Sequence, residues 1–201
     1  MFDRALSRLI ARPLQSLAHA LHRHGVGANA VTVAGFALGV AAAVAIALQA
    51  FGAAIALLLV SRLCDGLDGA IARITAPTDA GGFLDIALDF LFYASIPLAF
   101  AFADPARNAL AAAGLLAAFI GTGSSFLAFA TIAAKRQMSS TDYPDKSFYF
   151  RGGLTEASET LAFFIAMCLW PQHFALLAWV FVALCVLTTA MRIWWGYTRF
   201  R

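Results

Sequence analysis

Long apolar runs separated by short polar turns make up most of the sequence after residue 27. A membrane-spanning helix needs about 20 predominantly apolar residues. Six such runs can be drawn, at residues 28–50, 52–74, 80–103, 107–134, 153–170 and 173–196. Only 12% of the 201 residues are charged, whereas a soluble domain carries about 25%. The sequence therefore predicts an all-α integral membrane protein with six transmembrane helices, and it excludes an ordinary soluble fold.

Residues 1–25 have a different pattern, in which apolar residues recur every three or four positions and arginines line another face. The apolar positions are Phe2, Leu6, Ile10, Leu14, Leu17 and Leu21, and the arginines are Arg4, Arg8 and Arg12. This pattern predicts an N-terminal interfacial amphipathic helix; a soluble helix packed on a partner is the alternative. A secretory signal is not expected, because the segment lacks an uninterrupted apolar core. We expect one membrane domain over residues 1–201, with a leader helix at 1–25 and a six-helix bundle at 28–196.

The basic residues orient the bundle, since cytoplasmic connections carry the excess of Lys and Arg. One side receives Arg107 alone. The other receives Arg4, Arg8, Arg12, Arg23, Arg73, Lys135, Arg136, Lys146, Arg151, Arg192, Arg199 and Arg201. Both termini are therefore predicted to be cytoplasmic, together with the turn after Arg73. The basic residues lie between apolar runs and form no single patch, so no nucleic-acid partner is expected despite the net charge of +3.

Four aspartates fall within 25 residues, in DGLDGAIAR from Asp65 and in GGFLDIALD ending at Asp89. Asp65 and Asp68 are three residues apart and Asp85 and Asp89 are four apart, so each pair projects from one face of its helix. A short turn joins the two helices, and their acidic faces can meet. Each such charge costs roughly 2.5–3.5 kcal/mol at the bilayer centre. Because no Cys or His accompanies the acids in a metal-like spacing, the sequence predicts Mg²⁺ or Mn²⁺ between them.

Small residues separate the acids and indicate a phosphate site. Gly66, Gly69 and Ala72 leave room for a bulky group near the backbone, and Arg73 could bind a phosphate with two parallel hydrogen bonds. Gly81 would let the next helix begin close to the same place. The alternative is that the small residues serve tight helix packing while Arg73 extends to the interface.

This string resembles the signature of the CDP-alcohol phosphatidyltransferase family, D-x-x-D-G-x-x-A-R followed by G-x-x-x-D-x-x-x-D. Every fixed position is present: Asp65, Asp68, Gly69, Ala72, Arg73, Gly81, Asp85 and Asp89. The spacer at residues 74–80 is one residue shorter than the family's usual eight. Asn29 and Thr32 look like the polar start of the family's first span. Within the family, the chain is most similar to small bacterial inner-membrane members whose acceptor is unassigned.

The resemblance implies transfer of a phosphatidyl group from CDP-diacylglycerol to an alcohol with release of CMP, in phospholipid biosynthesis. It implies two metal ions held by the four aspartates, with Asp89 also the catalytic base. The residues implied to bind the CDP donor are Asp65, Gly69, Ala72, Arg73, Asn29 and Thr32. The protein is expected to lie in the cell inner membrane, in contact with membrane lipid. The resemblance leaves open whether two copies form a homodimer.

The sequence says least about which residues bind the alcohol acceptor. Glu156 and Glu159 are too polar for lipid and are expected to face the interior, where they could bind acceptor hydroxyls. Pairing with Arg62 or Arg192 is the equally weighted alternative. Arg151, with the other basic residues of the 135–151 connection, could receive an anionic acceptor, although membrane topology alone would also require these charges.

Three other functions are compatible with parts of the pattern. An intramembrane Mg²⁺-dependent prenyltransferase also uses aspartate-rich helices, but it lacks the G-x-x-A-R continuation. A non-enzymatic divalent-cation transporter would distribute its acids across the bilayer, whereas these four cluster at one turn. An inactive member of the family would be expected to have lost some of the fixed positions.

Overall fold

The structure, a computed structural model, describes residues 2–138, 155 and 157–201, with side chains from residue 13 onward. Within these ranges it consists of seven α-helices and a single 3₁₀ turn at Pro171–His173. The helices are α1 (Phe2–Arg23), α2 (Ala28–Ala47), α3 (Phe51–Thr75), α4 (Asp79–Ala103), α5 (Pro105–Lys135), α6 (Ala157–Leu169) and α7 (Phe174–Phe200).

Helices α2 to α7 coincide with the six predicted apolar runs to within a few residues. In the described ranges, four segments are long and apolar enough to cross a membrane, namely α2, α4, α5 and the segment Pro171–Phe200. Helix α3 has the necessary length of 25 residues, but its second half carries the charges of the site. The described part of α6 has 13 residues. The chain is therefore an all-helical protein with at least four helices suited to a bilayer.

An apolar exterior surrounds an aromatic core. Helix α2 packs on α3 and α4, and α5 packs on α4 and α7. The largest buried side chains are the phenylalanines of this core, Phe92, Phe100, Phe164, Phe174 and Phe181. Large apolar side chains also cover the outside, and Leu48, Phe83, Leu110, Ile120 and Trp194 are each more than 70% exposed. An apolar surface of this extent fits contact with lipid.

A three-residue connection joins α3 to α4, and both helices pack on α2. Thr78 caps α4, since its hydroxyl accepts a hydrogen bond from the Gly81 N–H at 3.1 Å, and Asp79 places a negative charge in the first turn. Helix α2 lies close beside α3, where the Ser61 hydroxyl donates to the Gly35 carbonyl at 2.8 Å. Helix α2 therefore holds α3 and α4 close enough for side chains of the second half of α3 and the first half of α4 to meet.

Helix α1 lies against the same half of α3. Leu14, Ala18 and Leu21 pack on a small cluster that includes Leu67 and Ile71 of α3. Ala18 is completely buried. Leu14 and Leu21 of the apolar face predicted for the leader helix are therefore packed on α3, whereas Leu17 is 43% exposed.

Candidate active site

Three of the four predicted ligands meet between α3 and α4. Asp65, Asp85 and Asp89 can each offer a carboxylate oxygen such that all three oxygens lie within 4.8 Å of one another. The first comes from α3 and the other two come from successive turns of α4. Oxygens this close can bind one small cation together, which is the arrangement predicted from the i, i+3 and i, i+4 spacings.

Asp68 lies outside that trio but borders the same cavity. It is the most buried of the four acids, at 6% exposure, and its Oδ2 is buried without a hydrogen-bond partner among the described residues. An unpaired buried carboxylate oxygen is costly. The cavity is lined by all four aspartates, together with Thr32, Ser61 and Arg62. Asp68 therefore presents an unsatisfied acceptor beside the other three carboxylates.

Arg62 is a member of the cluster that sequence reasoning placed inside a span without assigning it to the site. Its Nη1 donates to Asp89 Oδ1 at 2.9 Å and to Asp65 Oδ1 at 3.4 Å. Its guanidinium carbon lies 4.0 Å from the centre of the Phe92 ring. The sequence does contain a signal for the Arg62–Asp65 contact: Arg62 is three residues before Asp65, and residues at i and i+3 share a helix face.

Of the two residues at the start of α2 that are predicted to bind the donor, Thr32 lies beside the cluster and Asn29 lies beside the start of α4. Thr32 lines the cavity with Asp68, and its hydroxyl donates to the Ala28 carbonyl at 3.1 Å. Asn29 is next to Gly81, where an added Cβ would lie 3.0 Å from the Asn29 Oδ1. Gly81 therefore permits α4 to begin against the polar end of α2.

The small residues of α3 divide between packing and the site. A Cβ on Gly66 would lie 3.3 Å from Leu14 Cδ2, so Gly66 faces α1. Gly66 was expected to leave room for a ligand, but in the structure it makes room for α1. A Cβ on Gly69 would lie 3.5 Å from Arg73 Nη1, and Arg73 itself is exposed at the end of α3. Gly69, Ala72 and Arg73 therefore remain accessible at the last turns of α3.

The predicted acceptor residues are only partly within the described structure. Glu156 and Arg151 lie outside the described residues. Glu159 is half-buried in the first turn of α6, where its Oε2 accepts a hydrogen bond from the Ser158 hydroxyl at 3.1 Å. The two arginines suggested as partners for the glutamates make other contacts: Arg62 pairs with Asp65 and Asp89, and Arg192 donates to the Thr122 carbonyl at 2.7 Å.

The donor set fits a hard divalent cation. All of the converging atoms are carboxylate oxygens, which Mg²⁺ and Mn²⁺ favour. The unpaired Asp68 Oδ2 and the close approach of the other three acids both favour a cation bound among them. Four carboxylates and one guanidinium leave the cluster with three net negative charges, which one or two divalent ions would balance closely.

Comparison with known proteins gives relatives over nearly the full length. The chain is 52% identical over 197 residues to the inner membrane protein YnjF of Escherichia coli (strain K12), covering 98% of this chain and 96% of the relative. Two crystal structures of Mycobacterium tuberculosis phosphatidylinositol phosphate synthase (PgsA1) share the fold at 22% identity. The structure with CDP-DAG bound gives a TM-score of 0.69, covering 93% of this chain and 94% of that one. The complex with manganese and citrate gives 0.68, covering 92% and 89%.

The family assignment rests on the sequence itself. The model of the CDP-alcohol phosphatidyltransferase family matches residues 26–194, which span α2 to α7 and include all four aspartates. The spacing of the aspartates and their convergence between α3 and α4 agree with that match. The chain is therefore a member of the CDP-alcohol phosphatidyltransferase family, and it belongs to that enzyme class.

Proposed function

We propose that the protein transfers the phosphatidyl group of CDP-diacylglycerol to an alcohol and releases CMP. The observation that carries this proposal is the convergence of the signature aspartates on α3 and α4, with an unpaired buried oxygen on Asp68. Two further findings support it. The family model matches most of the chain, and the PgsA1 crystal structure with CDP-DAG bound has the same fold.

The acceptor oxygen forms a new bond to the phosphorus of the phosphatidyl group, while the bond from that phosphorus to the CMP oxygen breaks. The proton of the acceptor hydroxyl goes to Asp89, which serves as general base. Asp89 suits this role because its side chain is one-third exposed and Arg62 holds one of its oxygens. Holding the acceptor hydroxyl close to the phosphorus supplies the rest of the rate enhancement.

The four aspartates, Asp65, Asp68, Asp85 and Asp89, would hold Mg²⁺ or Mn²⁺, with two ions as the proposed number. Bound there, the cation supplies neutralising charge for the diphosphate and for the departing CMP. Gly69, Ala72 and Arg73 would receive the cytidine diphosphate on the accessible end of α3, with Asn29 and Thr32 on the α2 side. Arg73 is suited to the phosphate because its guanidinium is exposed beside Gly69.

The proposed topology has six spans in one domain, with α1 in the interface. Four spans follow from length and apolar composition. Helix α3 completes a fifth because it packs between α1 and α2 within the bundle, and its charges face the cluster. The sixth is α6 with the residues before it. The excess of positive residues supports a cytoplasmic location for both termini and the site, where a water-soluble acceptor and CMP can exchange.

The proposed acceptor side is the start of α6, where Glu159 lies in the first turn of a helix that packs on α3 and α7. Glu156, Glu159 and Arg151 remain the proposed acceptor residues. Carboxylates suit a polyol and a guanidinium suits a phosphorylated one.

The direct test is a reaction of purified protein with CDP-diacylglycerol, Mg²⁺ or Mn²⁺ and a panel of alcohols that includes polyols and polyol phosphates. Release of CMP together with a new phospholipid, both identified by mass spectrometry, is the expected result. The Asp68→Asn variant is the matched control. If the wild type consumes no donor with any alcohol while still binding CDP-diacylglycerol, a transferase function for this chain is wrong.

A further inference from the structure

Arg62 is a buried cation in contact with two of the proposed metal ligands. One nitrogen, Nη1, serves both carboxylates, at 2.9 Å from Asp89 Oδ1 and 3.4 Å from Asp65 Oδ1. The Arg62 side chain is 13% exposed, whereas those of Asp65 and Asp89 are 37% and 33% exposed. The guanidinium therefore meets the carboxylates from the protein interior.

Packing holds this guanidinium in place independently of the carboxylates. Its central carbon lies over the ring of Phe92 at 4.0 Å and 5.7 Å from the centre of the Tyr93 ring. Its Nη2 lies 3.4 Å from the Ser61 hydroxyl, which in turn donates to the Gly35 carbonyl of α2. Arg62 is thus held by residues of α3 and α4, and Ser61 ties this arrangement to α2. A guanidinium held in this way can orient a carboxylate.

Charge compensation alone does not explain which acids Arg62 contacts. A cation present only to offset the cost of buried charge would be expected at the most buried carboxylate. The most buried is Asp68, and its Oδ2 has no partner among the described residues. Arg62 instead contacts the two acids that are about one-third exposed. The contact therefore acts on the carboxylates that can reach substrate.

We propose that Arg62 is a positioning residue for Asp89: it holds Oδ1 and so orients the carboxylate, whose remaining lone pairs serve the cation and the proton of the acceptor hydroxyl. This inference rests on the proposed phosphatidyl transfer. It also has a consequence that does not depend on catalysis, because a permanent positive charge beside the ligands lowers the affinity of the cluster for divalent cations.

The test compares Arg62→Met, Arg62→Lys and the control Arg192→Met. Arg192 is also a half-buried arginine near an aromatic ring, and its hydrogen bonds within the described part of the chain go to the Thr122 carbonyl and the Ser125 hydroxyl. Binding of Mn²⁺ to purified protein is followed by electron paramagnetic resonance, folding by thermal unfolding in chelator, and turnover by CMP release.

Arg62→Met is expected to bind Mn²⁺ at least about tenfold more tightly, since even at the dielectric constant of water a unit charge a few ångström from a divalent ion repels it by that factor. Its kcat should fall by roughly a hundredfold, the lower end of the loss expected when a general base is impaired, while KM for CDP-diacylglycerol stays within a few-fold. Arg62→Lys keeps the charge but loses the planar group on Phe92, so its Mn²⁺ affinity should match wild type and its kcat should be intermediate. Arg192→Met should bind Mn²⁺ as wild type does.

Weaker Mn²⁺ binding in a folded Arg62→Met variant would overturn the proposal, because Arg62 would then be assembling the metal ligands. Wild-type kcat in either Arg62 variant would also overturn it. If Arg62→Met does not fold, the kcat of Arg62→Lys at unchanged KM decides the matter. A different outcome is that Arg62→Met binds Mn²⁺ more tightly but the wild type transfers no phosphatidyl group. The repulsion between Arg62 and the bound cation would then be supported, and the transferase function would be rejected.

Discussion

Gly39 of α2 lies directly against the Phe92 ring of α4, so closely that a methyl group on Gly39 would overlap the Phe92 Cδ2 and Cε2 atoms. Phe92 is 1% exposed and cannot move away freely. Because the Arg62 guanidinium stacks on this same ring, the absence of a side chain at Gly39 sets the position of a cation inside the site.

Gly39→Ala is therefore expected to destabilise the protein by about 1–3 kcal/mol, the usual cost of overpacking a core, and to reduce CMP release by displacing Phe92 and Arg62. Thermal unfolding in detergent and the transfer reaction measure the two effects. Gly52→Ala is the matched control, because nothing lies within 4 Å of an added Cβ there. Equal stability of the two variants would show that Phe92 relaxes without cost.

Asp68→Asn should abolish activity and weaken Mn²⁺ binding without lowering thermal stability in chelator. The substitution removes a buried charge whose Oδ2 has no partner among the described residues, so the metal-free fold loses no ion pair there. Asp104→Asn, which keeps the capping oxygen at the start of α5, should leave activity unchanged. A loss of stability in Asp68→Asn would mean that the carboxylate serves packing and not metal binding. Full wild-type activity in excess chelator would contradict the metal site as a whole.

Arg73→Ala is expected to weaken binding of CDP-diacylglycerol roughly tenfold or more, the effect of losing a hydrogen bond to a charged group. Acceptor affinity should hardly change, because Arg73 lies beside Gly69 at the donor end of α3. Donor and acceptor titrations of the purified enzyme separate the two effects, with Arg107→Ala as the exposed control. A change confined to the acceptor would reverse the assignment of Arg73.

Asp89→Asn should bind CDP-diacylglycerol near normally and lose at least about a hundredfold in turnover, as expected for loss of a general base. Asparagine keeps an oxygen that can accept the hydrogen bond from Arg62 Nη1, so the geometry is preserved while the proton acceptor is lost. Turnover should be measured over a wide range of Mg²⁺ concentration. Recovery to within a few-fold of wild type at high Mg²⁺ would leave Asp89 as a ligand only.

The proposed orientation is tested with cysteines placed at two exposed positions, Ala106→Cys at the start of α5 and Gln137→Cys just after its end. A membrane-impermeant maleimide should label the first in intact cells and the second only after permeabilisation. The native chain sets the background, since Cys168 and Cys185 are buried and Cys64 is half-buried. The reverse labelling pattern would place the active site on the outer face.

The sequence predicted helix positions well because each helix is a separate apolar run, and it predicted the acid cluster because Asp65, Asp68, Asp85 and Asp89 are spaced by helical turns. It did not predict the partners of Arg62. Asp89 is 27 residues away, and it comes within reach because α3 and α4 both pack on α2. Pairing rules within one helix could have suggested Asp65 alone.

The role of Gly66 was also beyond the sequence. A glycine at this position fits the approach of a ligand and the approach of another helix equally well. Only the contact with Leu14 shows that α1 packs against Gly66. The contacts of Glu156 and Arg151 lie outside the described residues, so their acceptor roles stay predictions. Patterns within a helix fix which face is polar, whereas the choice of neighbour depends on tertiary packing.

The connection between α3 and α4 has only three residues, and every proposed metal ligand lies on one side of it or the other. Bringing these ligands together requires closing that short loop, which costs little chain entropy, and docking both helices on α2. We therefore expect α2, α3 and α4 to assemble the acidic site early during membrane insertion, before α5, α6 and α7 have docked. A chemical centre encoded in three consecutive helices also leaves the later helices free to diverge, so relatives can change their alcohol while keeping the same reaction.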